Sequence, residues 1–176
     1  MNLNDNDFVL FGLPERYALD RAQLDAQWKA LQRHAHPDQH AAEGAAAQRI
    51  AMQWSVRINE AYSRLKDALK RAAYLCELRG APIAAHTNTA MPASFLMQQM
   101  EWREALEEAK AESDLDGLSD ELDAARTREL SAIEKLLDAE GLGSDAAQQA
   151  AQHVRALMFM EKFGHELEAR YDALQA

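Results

Sequence analysis

One cysteine, Cys76, occurs in 176 residues. A lone thiol cannot close an internal disulfide, and it falls short of the about four thiolates that an all-cysteine iron–sulfur site needs. Between Leu75 and Leu78 it reads as a small buried apolar residue. Proline is held to four positions and glycine to seven, so long stretches are free of helix breakers. No run of about eighteen apolar residues occurs, and no transmembrane helix is expected. The start, Met1 to Asp7, is acidic and Asn-rich, without the basic flank and apolar stretch of a secretory signal. The expected location is therefore the cytoplasm. No segment alternates with the period of two that a strand requires, and no repeat of fixed length appears.

What is present is apolar residue at helical spacing and unevenly distributed charge. Hydrophobic residues make up 48% of the chain, enough for one domain or two small ones sharing an interface. The net charge is −10, yet residues 1–80 hold 11 Lys and Arg against 10 Asp and Glu, while residues 81–176 hold 8 against 19. A twofold division of function fits that asymmetry, although an acidic surface also serves solubility alone. The acidic second part repels phosphates, which disfavours nucleic acid as a partner.

Residues 7–12 form a short apolar segment, Phe8 to Phe11, ended by Gly12 and Pro14, that reads as one or two helical turns docking on a first core. Asp20 is a capping residue with Gln23 as its capping-box partner, and Leu19 and Leu24 flank it as a staple. Leu24, Trp28, Leu31 and Ala35 then share one face of a helix over 20–35. A second helix over about 44–69 carries Ala47, Ile50, Ala51, Trp54, Ile58, Ala61, Leu65 and Ala68. The pair is expected to lie antiparallel with Trp28 and Trp54 buried between them. A helix over 71–78 follows and stops at Gly80. Residues 80–93, with Pro82, Pro92 and Thr87-Asn88-Thr89, read as the boundary between two parts. Three helices are predicted beyond it: 94–111 with Phe95, Trp102, Leu106 and Ala109 on one face; 118–140, ended by Gly141; and 145–174, capped by Ser144, with Leu157, Met160, Gly164, Leu167, Tyr171 and Leu174 as its stripe. Leu96, Met97, Met100, Phe159 and Phe163 lie off these stripes. They mark either a protein-binding patch edged by Glu101 and Glu104, or simply wide buried faces.

His36-Pro37-Asp38 sits in the polar break between the first two long helices. Pro37 removes an N–H and turns His36 away from helical geometry, so an imidazole and a carboxylate project from a stiff corner. His34, His36, Asp38 and His40 are metal-ligand types, but alternate residues of one loop constrain ligand geometry poorly. A hydrolase would also need a nucleophile and a pocket, and the loop offers neither. With Lys29 and Arg33 on the preceding helix, the corner fits a docking edge for an acidic partner surface better.

A basic helix, His-Pro-Asp and an antiparallel helix together resemble the J-domain of DnaJ-type co-chaperones. Phe11-Gly12-Leu13-Pro14, Arg71-Ala72-Ala73-Tyr74-Leu75, and Phe95-Leu96-Met97 followed by Arg103-Glu104 extend the resemblance over nearly the whole chain to the HscB family of iron–sulfur-biogenesis co-chaperones. The resemblance implies an all-α, L-shaped fold: a J-domain over 1–80, a linker over 81–93, and an antiparallel three-helix bundle over 94–176. It implies that His36, Pro37 and Asp38, with Lys29 and Arg33, engage a DnaK-type ATPase, HscA. Leu96, Met97, Met100, Glu101, Glu104 and Phe159 fall where the family binds the scaffold protein IscU. It implies no catalytic residue, metal or cofactor, and neither nucleic acid nor membrane as partner. Gln39 departs from the lysine of many relatives, Met100 replaces a more usual leucine, and the linker is slightly longer, which leaves the angle between the parts open. The cysteine zinc motif of some eukaryotic relatives is absent. Two alternatives stay open: a J-domain adaptor for a different client, and a metal hydrolase using His34, His36, Asp38 and His40.

Overall fold

The computed structural model describes residues 2–84, 91–139 and 143–175. These residues form helices and connections only, with no strand among them. The chain divides into two compact units, Met1–Leu75 and Cys76–Ala176. The division falls within a helix, ahead of the expected boundary at position 80.

In the first unit, α1 (Asp7–Phe11) is capped by the Asn6 side chain, which accepts the Val9 amide at 2.9 Å. It closes on Gly12 at φ 63°, and the Leu13 amide returns to the Phe8 carbonyl at 2.9 Å. That left-handed closure is strained for any residue with a Cβ. α2 (Arg21–Ala35) starts as expected, with Asp20 accepting the amides of Ala22 and Gln23. α3 (Ala45–Lys66) runs antiparallel to it, because the side-chain pairs step in opposite directions: Asp25 with Tyr62, Trp28 with Asn59, Gln32 with Ser55. α4 (Ala68–Leu78) follows. The core of this unit is Phe8, Phe11, Leu24, Ile58, Ala61, Leu65, Ala72 and Leu75.

Two expectations for this hairpin are corrected. Trp28 and Trp54 are only half-buried. Trp28 lies at the seam's edge, stacked 4.8 Å from the Tyr62 ring with its indole N–H donated to Asn59. Ile50, predicted to face the core, is 56% exposed. The buried face of α3 follows Ala51, Ile58, Ala61 and Leu65. Ile50 and Trp54 instead border an open cleft between α2 and α3, together with Leu31, Ala35 and Ala47.

In the second unit, α5 (Ala93–Glu108), α6 (Glu112–Asp138) and α7 (Ser144–Gln175) form a three-helix bundle. α6 and α7 are antiparallel: Tyr171 bonds Asp116, and His153 bonds Glu129. α5 runs parallel to α7, with Phe95 on Phe159, Trp102 on Phe163, and Arg170 donating to the Ala109 carbonyl. α6 begins six residues earlier than predicted. Its first turn looks like a loop, being acidic and followed by Gly117. Yet the Asp114 carboxylate accepts the Lys110 and Ala111 amides, and Leu115 is fully buried. Those two amides hold the Asp114 carboxyl below the usual range. Buried leucines such as Leu115, Leu118, Leu122 and Leu137 each contribute about 1.5–3 kcal/mol. Phe163, which lay off the predicted stripe and fitted either a patch or a wide buried face, is completely buried. Gly141, expected to end α6, lies outside the described residues, and the helix ends at Asp138.

The predicted linker is partly core. Ala81 and Ile83 are buried, the Ala81 amide bonds the Cys76 carbonyl at 2.8 Å, and Arg155 donates to the Ile83 carbonyl at 3.1 Å. Residues 85–90 of that segment lie outside the described residues. Cys76 is fully buried, and burial pushes its thiol up to about 11 despite the opposing charges of Arg79 and Arg155. The native protein is therefore expected to resist a thiol reagent at neutral pH and to release one equivalent on unfolding, as read by Ellman titration with and without denaturant.

Candidate functional site

The expected docking residues lie on two surfaces, one in each unit. The first is the corner after α2. Pro37 leaves His36 extended (φ −65°, ψ 129°), so α2 stops at Ala35 and a 3-10 turn runs from Pro37 to Glu43. The loop expected here is thus an ordered turn. His36 caps it: its Nδ1 accepts the Asp38 amide at 3.3 Å, and its carbonyl accepts the Gln39 amide at 3.0 Å. The Asp38 carboxylate lies 3.5 Å from the same Nδ1, and the two side chains are 57% and 90% exposed. No residue of the turn is buried.

Along α2, Arg21 and Asp25 are taken up locally. Arg21 Nε donates to Asp25 at 2.8 Å, the Tyr62 hydroxyl donates to the same oxygen, and these two bonds hold the Asp25 carboxyl below its usual range. Lys29 and Arg33 are exposed, with no ion pair among the described residues. The helix therefore offers its cations toward the His36 end.

His34, His36, Asp38 and His40 do not converge. The His36 ring is turned to Asp38, and the His40 ring to the His34 carbonyl and Glu43. Among the described residues, no group of three or more His, Cys, Asp or Glu side chains is arranged to hold a metal ion.

The second surface is on α5. Phe95 and Trp102 point into the bundle, which turns Leu96, Met97 and Met100 outward at 45%, 63% and 71% exposure. Glu101 and Glu104 are exposed beside them. Phe159 on α7 is half-buried, edge-on to Phe95 with centroids 5.7 Å apart. Arg103, named above for the resemblance, was not counted among the expected site residues. Its guanidinium lies 5.5 Å over the Phe159 ring and 3.5 Å from Glu166. The available signal was its place seven residues after Leu96, on the same helical face. A third set was also missed: Leu3, Met52 and Val56 are exposed and line an open groove in the first unit.

Comparison with known proteins gives this geometry a family. The co-chaperone protein HscB homolog of Burkholderia thailandensis is 49% identical over 178 residues, covering 99% of each chain. The chain belongs to the HscB co-chaperone family. The homolog of Paraburkholderia phytofirmans is 47% identical over 98% of both. Residues 91–168 match the family described as the HSCB C-terminal oligomerisation domain. The chaperone HscB from Vibrio cholerae superposes with a TM-score of 0.78 at 35% identity, over 97% of this chain and 99% of that one. The crystal structure of human co-chaperone protein HscB gives 0.86 at 22% identity, covering 97% and 84%, which shows the fold alone. The all-α expectation and the family resemblance both hold. Among the described residues, no helix of this HscB co-chaperone is long and apolar enough to cross a membrane.

Proposed function

We propose that this chain is a two-ended adaptor of iron–sulfur cluster assembly in the cytoplasm. Its first unit acts as the J-domain that stimulates the ATPase of the DnaK-type chaperone HscA. His36, Pro37 and Asp38 are the contact, with Lys29 and Arg33 supplying charge. Its second unit binds the scaffold IscU through Leu96, Met97, Met100, Glu101, Glu104 and Phe159 and delivers it to the chaperone. No chemical step or cofactor is assigned to the chain itself. One observation carries the reading: three large apolar side chains in sequence proximity stand outside a bundle whose core is already filled. Such a cluster with an acidic rim is the anatomy of a protein-binding patch, and methionine adapts to the partner's shape.

Steady-state HscA turnover, measured with this protein and with or without IscU, tests the reading. Stimulation by the chain alone and a further rise on adding IscU are expected. Stimulation without any gain from IscU would point to a J-domain adaptor for another client. Leu96→Ala with Met100→Ala is expected to weaken IscU binding roughly 30-fold in calorimetry while basal stimulation survives. This pair separates binding from folding better than Phe159→Ala, because Phe159 also packs on Phe95 and Phe163.

A second reading of the same patch is supported by the matched family's description as an oligomerisation domain. The patch would then join two copies of this chain. Sedimentation equilibrium of the Leu96→Ala, Met100→Ala protein separates the two: loss of a dimer favours self-association, and an unchanged mass favours the scaffold.

A further inference from the structure

His40 has both ring nitrogens against acceptors. Nε2 lies 3.0 Å from the His34 carbonyl in the last turn of α2, and Nδ1 lies 3.2 Å from the Glu43 carboxylate at the end of the 3-10 turn. A neutral imidazole has a single N–H and serves only one of them, whereas the imidazolium donates to both. The ring lines a cleft of about 350 Å³ among α2, the turn and α3. Around it, α2 contributes His34 and the turn contributes Glu43, while the α3 residues lining the cleft, Ala47, Ile50, Ala51 and Trp54, carry no charge. His36 and Asp38 face each other instead.

We propose that His40 is a positioning residue: as the imidazolium it ties the 3-10 turn, and the His36-Pro37-Asp38 corner with it, to the C-terminal end of α2. The turn has no buried residue to anchor it, so polar ties set its position. The His34 carbonyl is among the last of α2, where helix carbonyls lack amide partners and the helix dipole favours a cation. These same contacts, the His34 carbonyl first and Glu43 second, raise the His40 pKa above its ordinary value. The sign follows. The double tie is complete below the ordinary histidine range and is lost as pH rises through the raised folded value. The neutral ring keeps one tie, so the corner loosens rather than unfolds.

The consequence for ATPase stimulation rests on the proposed J-domain role, and the test separates the two. By NMR, the His40 ring is titrated from about pH 6 to about pH 9, and amide protection factors for residues 38–43 are taken at each pH, relative to the unstructured chain. HscA stimulation is measured in parallel. In the wild type, protection is expected to fall roughly two- to fivefold as His40 deprotonates. His40→Ala should hold the lower protection at every pH, with unchanged far-UV circular dichroism. Glu43→Gln should lower the His40 titration midpoint, and His40→Gln should give intermediate, pH-independent protection. Stimulation should track protection across the set. Equal protection in wild type and His40→Ala at low pH overturns the proposal, as does a Glu43→Gln midpoint that does not move. If the wild type fails to stimulate HscA at all, the chaperone reading falls, and the exchange data still decide the clamp.

Discussion

His36→Gln is expected to bring HscA stimulation down to the basal rate, a loss of about 30-fold or more, while IscU affinity and thermal stability stay as in the wild type. The size follows from the corner's construction. His36 is an exposed side chain whose Nδ1 holds the Asp38 amide, so its tautomer sends the remaining N–H outward from Nε2. Losing the ring removes that outward donor and frees the Asp38 backbone together. A residue central to a small docking edge typically carries about 2 kcal/mol or more, and each 1.4 kcal/mol is tenfold. Stability is spared because neither His36 nor Asp38 is buried, and exposed substitutions usually stay within about 0.5 kcal/mol. Scaffold affinity is spared because the Leu96 patch belongs to the other unit. Normal stimulation by the variant would end the docking argument. A parallel fall in IscU affinity would end the separation of roles.

The corner was readable because Pro37 imposes its own geometry and Asp20 its own cap, both local effects. The α5 patch was readable as surplus, since Leu96, Met97 and Met100 exceed what one face can bury. The same reasoning left Phe163 open between patch and buried face, and it closes the bundle against Trp102 at 5.7 Å. Periodicity counts apolar residues on a face but does not give that face's width, and width depends on how many neighbours surround the helix. Ile50 was expected in the core but lies where α2 and α3 leave an open cleft rather than a closed seam. The start of α7 shows the limit again. Ala146, Ala147, Ala150, Ala151 and Val154 are buried there, and alanine gives a strong helix preference with a weak apolar signal. Asp7 was invisible for a different reason. An acidic residue in an acidic start reads as solvated, and its partners lie about fifty residues away.

Asp7→Ala is accordingly expected to destabilise the first unit by about 3 kcal/mol, the largest stability effect foreseen for a single polar side chain here. Asp7 is wholly buried, with Arg57 Nη1 2.8 Å from one carboxylate oxygen and Arg64 Nε 2.7 Å from the other. The Arg57 approach is an ion contact rather than an aligned hydrogen bond, whereas Arg64 donates directly. The Asp7 amide donates to the Tyr74 hydroxyl at 3.0 Å, Tyr74 stacks on Phe8, and Arg64 lies 4.6 Å over the Tyr74 ring. One carboxylate therefore ties α1, α3 and α4 together. Removing it leaves two guanidinium groups without their anion. Arg64 is partly exposed and can turn to water, but Arg57 is 18% exposed and held by the Leu3 and Asp5 carbonyls. Breaking a buried pair from one side costs about 3–5 kcal/mol, and Arg64's escape to water favours the lower figure. Hydrogen exchange of α3 peptides under native conditions measures it, since exchange in a two-unit chain reads each unit separately. A loss of protection below about tenfold would mean that packing of Phe8 and Phe11, rather than this ion cluster, holds α1 in place. Asp7→Asn keeps the shape without the charge and should fall between the two proteins, which separates the charge from the cavity that alanine leaves.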